Sequence, residues 1–183
     1  MMKVIVAITG ASGGVYARLC LEQLLRAEEV EQIALVVSEV AQKVLQHEGV
    51  ELPENEKIVR YDNDDMFAPV ASGSAGYDAM VVVPASMGSV GRIAAGVSLS
   101  LIERSADVML KERRRLIFVV RETPYSLIHL RNMTTLTEAG AIILPASPSF
   151  YSHPQSIDEV AMTVVERVVA HIGIDSPRYE WGE

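Results

Sequence analysis

The sequence predicts a single doubly wound α/β domain, a mostly parallel sheet with helices on both faces. Three observations carry that prediction. Short Val/Ile-rich runs, too apolar to alternate, recur between stretches of helical periodicity. Hydrophobic residues make up 49% of the chain but aromatics only 5%, the balance of strands buried on both faces beneath helices. Turns rich in glycine and serine follow the strands.

Taken in order, Lys3 to Thr9 is the first strand, and TGASGG turns it into a helix from about Val15 to Ala27. Backbone N–H groups at such a turn, added to the helix dipole, favour a phosphate, and Gly10, Ser12 and Gly13 are the residues placed against it. An equally weighted alternative is that glycine serves tight packing alone. Gln32 to Val37 is the second strand, with Ser38 at its tip capping a helix from Glu39 to Gln46. A dinucleotide enzyme usually carries an acid at that tip, so NAD is disfavoured. Gly49 to Gly76 reads as loop, with Asp62 to Asp65 solvated and Ser72-Gly73-Ser74 small enough for a backbone to approach a ligand.

Ala79 to Val83 is the third strand, stopped by Pro84, and PASMGSVGRIAAG forms a second small-residue turn into a helix. Ser98 to Arg113 reads as a helix with Leu99, Ile102, Ala106 and Met109 on one side. The basic cluster Lys111, Arg113, Arg114 and Arg115 suits at most a small anion. Leu116 to Val120 is the fourth strand, placing Arg121 and Glu122 at its carboxyl tip, where open sheets bind ligands. These two form either a site or an ion pair that closes the loop. A helix from Ser126 to Ala139 includes His129, read as a packing or capping residue, and Ala141 to Leu144 is the fifth strand.

Beyond that strand lie Tyr151 and His153, then a capping box of Ser156 and Glu159 opening the last helix. Its stripe is Ile157, Val160, Ala161, Val164, Val165, Val168 and Ile172, with Arg167 at the border as a stem over the core. The tail from Gly173 to Glu183 carries Arg178 and Trp181, and is expected to dock on this or another subunit.

A net charge of -8 argues against general nucleic-acid binding, which needs a basic face. The single cysteine, Cys20, excludes an internal disulfide and falls in a helical core position. No run reaches the roughly 20 apolar residues of a membrane span, so no membrane partner and a cytoplasmic setting are expected.

Nearly the whole chain resembles the UbiX-type flavin prenyltransferases. The matching stretches are GASGG, the Ser38 tip, Ser72-Gly73-Ser74, PASMGS with RIAAG, DVMLKERR, RETP, HLRNM and FYSHPQS. The resemblance implies a Rossmann-like flavoprotein without a metal. Its reaction would move a dimethylallyl group from dimethylallyl monophosphate to N5 and C6 of reduced FMN, and the prenylated FMN would serve UbiD-type decarboxylases. Carried over by position, FMN would be held by Gly10, Ala11, Ser12, Ser38, Ser86, Met87, Gly88, Ser89 and Arg121. The donor would meet Lys111, Tyr151, Arg167 and Arg178, while Glu122, Lys111 and Glu48 would take catalytic roles. Many relatives carry a lysine or asparagine and a threonine where Gly88 and Ser89 stand here. The resemblance also implies a homo-oligomer, a dodecamer, and the charge-poor stretch near Ser98 to Leu110 is the expected contact helix. The competing classes are an FMN-dependent decarboxylase on the same fold, which would want a PASANT-like turn and a histidine after the first helix, and a non-enzymatic flavin carrier.

Overall fold

The computed structural model describes residues 1–175. Its strands are β1 (Met2–Ile8), β2 (Val30–Val37), β3 (Ile58–Tyr61), β4 (Ala79–Ala85), β5 (Arg115–Val120) and β6 (Ile142–Pro145). Its α-helices are α1 (Gly14–Arg26), α2 (Glu39–Glu48), α3 (Met87–Ala94), α4 (Leu101–Lys111), α5 (Leu127–Glu138) and α6 (Ile157–Ile172). All strand pairs are parallel and the order is β3-β2-β1-β4-β5-β6. The chain starts in the middle, runs to one edge, then returns to fill the other, so the order reverses between β1 and β4. Helices leaving those two strands pass to opposite faces and open a crevice there.

Two cores result, one per face. Val4, Val6 and Ile8 of β1 pack with Leu21 and Leu24 of α1 and Val165 and Val168 of α6. Ile5 and Ala7 face the other way, toward Val90, Ile102, Met109 and Phe118. Each fully buried Val, Leu or Ile contributes about 1.5–3 kcal/mol, which explains why the central strands carry no polar alternation. Cys20 is fully buried, and burial pushes its thiol up to about 12.

The sheet has six strands, not five. β3 is four residues on an edge, paired only with β2 and nowhere fully buried, so no apolar run marks it. β4 also runs through Pro84 to Ala85; the register shifts there, and a strand at a register shift tolerates the missing N–H.

The helix expected from Ser98 begins at Leu101, where Ser100 and Glu103 form a full capping box. Leu99 therefore stays outside its stripe, 84% exposed. The rest of α4 is buried against the sheet, so it is not the exposed apolar helix of this chain. That helix is α5, where Leu127, Ile128 and Leu130 face outward and only Leu136 is buried. His129 caps it reciprocally with Ser126. At α6, Ser156 accepts the Glu159 N–H, but the Glu159 carboxylate takes the N–H of Gln155, leaving half a box. Ile157, expected in the buried stripe, is 78% exposed because it belongs to the first turn, beyond the sheet edge.

Candidate active site

The strand ends at the crevice are held by one hydroxyl. Thr9, buried at the tip of β1, donates to the Pro84 carbonyl at 2.8 Å and accepts the Ser86 N–H at 2.8 Å. β1 and β4 are thereby locked where they part. Outside them lies a cavity of about 350 Å³ lined by Thr9, Gly10, Ser38, Ser86, Ser89 and Arg92, among others. Gly10 is a glycine because α2 starts against it: a Cβ there would collide with the Val40 side chain, 2.9 Å from its Cβ.

Ser38 caps α2 by accepting the Ala41 N–H at 3.1 Å, and Ser86 caps α3 through the Ser89 N–H at 3.3 Å. Ser100, the cap of α4, lines the same cavity. Three helix N-termini thus open on one space, each with a partial positive charge. Met87 is buried beneath α3, whereas Gly88 is exposed at its first turn and leaves the backbone open to a ligand.

The glycine turn is built differently from the expected phosphate loop. Glu48, the last residue of α2, accepts the N–H groups of Gly13 at 2.9 Å and Gly14 at 2.7 Å, so a carboxylate already occupies the start of α1. Burial would raise the Glu48 carboxyl. Hydrogen bonds from Ser12, Gly14 and Gly13, with the charge of Arg121, outweigh it and hold the group below the usual carboxylate range. Ala11 folds back, its N–H donating to the Thr9 carbonyl at 2.8 Å.

Arg121 anchors β5 to β4 through its N–H to the Ala85 carbonyl, and its exposed side chain also acts on Tyr16, opposing the rise that burial gives that phenol. Among the described residues Arg121 and Glu122 make no ion pair with each other. Glu122 instead accepts the N–H of Thr123 at 2.9 Å and stays exposed just after β5. Ser12, Glu48 and Arg121 therefore form one polar group at the strand tips, after Gly10, which lines the cavity.

Lys111 is elsewhere. It ends α4, whose 11 residues carry it about 16 Å from the Ser100 cap toward the amino end of β5. There it pairs with Glu112, whose carboxyl packs under Gly73, while Arg114 donates to the Gly73 carbonyl at 2.9 Å. Arg115 reaches the Ile172 carbonyl, so the basic cluster is dispersed into separate clamps. Tyr151 is 61% exposed beyond β6, and Arg167 is exposed on α6 beside a groove along β6 that also includes Ile142, Ser149 and Thr163. Arg167 is thus no stem over the core. Arg178 and Trp181 lie outside the described residues.

Thr9, Arg92 and Glu103 escaped the sequence reading. Arg92 stands three residues after Ser89, the spacing that returns a helical side chain to the same face, and that was the available signal.

A doubly wound sheet with hydroxyls, N-termini and an arginine at its switch point defines a nucleotide-binding α/β protein, and the donor set fits the phosphate of FMN. A family model described as Flavoprotein matches residues 1–173. The flavin prenyltransferase UbiX of Methanocaldococcus jannaschii is 45% identical over 99% of both chains. The structure of AnUbiX (PadA1) in complex with FMN and dimethylallyl pyrophosphate superposes with a TM-score of 0.91 at 40% identity, covering 100% of this chain and 99% of that one. A dodecameric FMN-dependent UbiX-like decarboxylase from Escherichia coli O157:H7 superposes at 0.89 with 36% identity, over 98% and 100%. The chain belongs to the UbiX-type flavin prenyltransferases of the flavoprotein family.

Proposed function

We propose that this protein transfers the dimethylallyl group of dimethylallyl monophosphate to N5 and C6 of reduced FMN, releasing phosphate and supplying prenylated FMN to a UbiD-type decarboxylase. The observation that carries the reading is that the switch-point cavity, lined by Gly10, Ser38, Ser86 and Ser89, and the coupled group of Ser12, Glu48 and Arg121 both lie at the strand tips. Ser38, Ser86, Ser89 and the open N-terminus of α3 would hold the flavin's phosphate, and Gly10, Ala11, Ser12 and Arg121 its remaining polar edge. Reduced FMN supplies the nucleophilic ring atoms.

The residues of this chain do the rest. Breaking an allylic carbon–oxygen bond builds negative charge on the leaving phosphate, which Lys111, Arg167 and the Tyr151 hydroxyl would stabilise. Glu122, exposed just after β5, would take the proton released on ring closure. Glu48 would keep its negative charge beside the developing allyl cation, since its carboxyl is held ionised.

Lys111 ends α4 near the amino end of β5, away from the strand tips, so a site that uses both would be completed by a second subunit. The outward residues of α5 and exposed Phe67, Phe150 and Ile157 are the surface such an assembly would cover, and we expect the dodecamer of the E. coli relative. We also treat the chain as one domain whose tail, from residue 173, docks on it or on a neighbour. No helix among the described residues is long and apolar enough to cross a membrane, and we place the protein in the cytoplasm.

Anaerobic incubation with FMN, dithionite and dimethylallyl monophosphate, followed by mass analysis of the flavin, tests the function. A flavin enlarged by one five-carbon unit supports it, and unchanged flavin with either the monophosphate or the diphosphate rejects it.

A further inference from the structure

Among the lining residues of the switch-point cavity, Arg92 is the sole lysine or arginine. It lies on α3, where side chains lean toward the helix N-terminus. Its Nη1 lies beside Gly88, 3.4 Å from where a Cβ would stand, and its Nη2 is 3.3 Å from the Ser89 hydroxyl. The opposite edge of the guanidinium is fixed: Nε donates to Glu103 Oε1 at 2.5 Å.

Glu103 is built for that task. Only 4% exposed, it gives its other oxygen to the N–H groups of Leu99 at 2.8 Å and Ser100 at 3.2 Å. Burial pushes its carboxyl up, but Arg92 and those two N–H groups prevail and hold it ionised. An unpaired carboxylate so deeply buried would be costly, so the pair is obligatory on the Glu103 side. Arg92 is different, because half of its side chain remains exposed and both donors on Nη1 have no acceptor among the described residues. A fork locked on one edge and open on the other is preorganised for an oxyanion.

The surroundings agree on the class of that anion. Ser38 and Ser89 use their oxygens as acceptors within the protein, which leaves their hydroxyl hydrogens to donate. The N-termini of α2, α3 and α4 converge on the same space. The acid at the mouth, Glu39, is turned to Lys43 at 2.6 Å.

We propose that Arg92, positioned by the buried Glu103, clamps the flavin's phosphate and makes this site select FMN over unphosphorylated riboflavin. The inference rests on the flavin reading above. It assigns a residue and a selectivity to one end of that site.

The test compares FMN and riboflavin affinities, by flavin fluorescence titration of the assembled protein, for the wild type, Arg92→Gln, Arg92→Lys and Glu103→Gln. Losing a hydrogen-bonded charge on phosphate should weaken FMN about tenfold or more in Arg92→Gln and leave riboflavin within about twofold. Arg92→Lys should recover part of the loss, and Glu103→Gln should weaken FMN selectively with Arg92 still present. Should Arg92→Gln fail to fold because Glu103 loses its partner, the double variant Arg92→Gln/Glu103→Gln removes both charges and carries the same expectation. A parallel fall for both flavins would show a merely structural pair and overturn the proposal, as would undiminished FMN binding by Arg92→Gln. A wild-type protein that binds neither flavin would instead sink the flavin reading itself.

Discussion

Glu48 Oε2 accepts the backbone N–H of Gly14 at 2.7 Å, so the last residue of α2 closes the first turn of α1. A helix start that would otherwise draw a phosphate is satisfied by a carboxylate of the same chain. On the flavin reading proposed above, the phosphate would instead meet the N-termini of α2, α3 and α4. Glu48 remains beside Arg121, at the other end.

Removing that carboxylate should cost stability as well as activity. Glu48→Ala leaves the N–H groups of Gly13 and Gly14 without their acceptor, an expected loss of about 1–3 kcal/mol in urea denaturation. Glu48→Gln, which keeps an acceptor oxygen, should lose less. Equal stability of Glu48→Ala and the wild type would mean the cap contributes nothing.

Gly10→Ala should be more disruptive than its size implies. The added methyl meets the Val40 side chain, a short branched group at the first turn of α2 that has little room to swing aside. Overpacking of this kind costs about 1–3 kcal/mol, and displacing α2 also moves Ser38. A lowered melting temperature together with weaker FMN binding is expected. A variant with wild-type melting and affinity would show that the contact relaxes freely.

The contrast between these residues explains what was legible in the sequence. Strands announce themselves by apolar runs, so β1, β2, β4, β5 and even the partly exposed edge strand β6 were found, with ends off by a residue or two. β3 was not, because its IVRY has only two aliphatic residues before Arg60 and Tyr61, and pairing with β2 alone defines it. Cap residues were legible singly, as Ser38 and Ser156 were. Their partners were not, since Glu159 chose Gln155 and Glu103 serves Arg92 from 11 residues away. α4 gathers its apolar residues on the one face that the sheet buries, whereas α5 spreads its own around the helix and buries only Leu136.

Acid should destabilise the protein through Glu48 and Glu103. Both carboxyls are held below their ordinary value in the folded state. Each therefore contributes stability that is fully present above the unfolded value near pH 4.3 and is lost as pH falls through the lower folded value. Melting temperature measured against pH should drop more steeply below about pH 4.3 for the wild type than for Glu48→Gln/Glu103→Gln. Parallel curves would show that neither group is linked to folding.

Charge on the outer face of α5 should break the proposed assembly without unfolding the chain. Ile128 is 67% exposed and Leu130 48%, and neither supports the chain's own core. Ile128→Glu/Leu130→Glu should give a smaller species by light scattering, with helix content retained by circular dichroism and prenyl transfer lost. An unchanged oligomer would locate the subunit contacts elsewhere, on Phe67 or Phe150.

Sharing of the site between subunits is tested by mixing. Glu122 lies at the carboxyl tips of the strands, whereas Lys111 ends a helix that runs about 16 Å the other way. If the two act on one donor, they must come from different copies, as a head-to-tail contact allows. Lys111→Ala and Glu122→Ala should each be inactive alone. Co-expressed in equal amounts, they should form some sites with both native residues, recovering about a quarter of wild-type prenyl transfer when subunits mix at random. Sites built within one chain could never be restored this way, because every copy would carry one defect. Hybrid oligomers as inactive as the parents would therefore place both residues in a single-chain site, and an active parent would remove its residue from the chemistry.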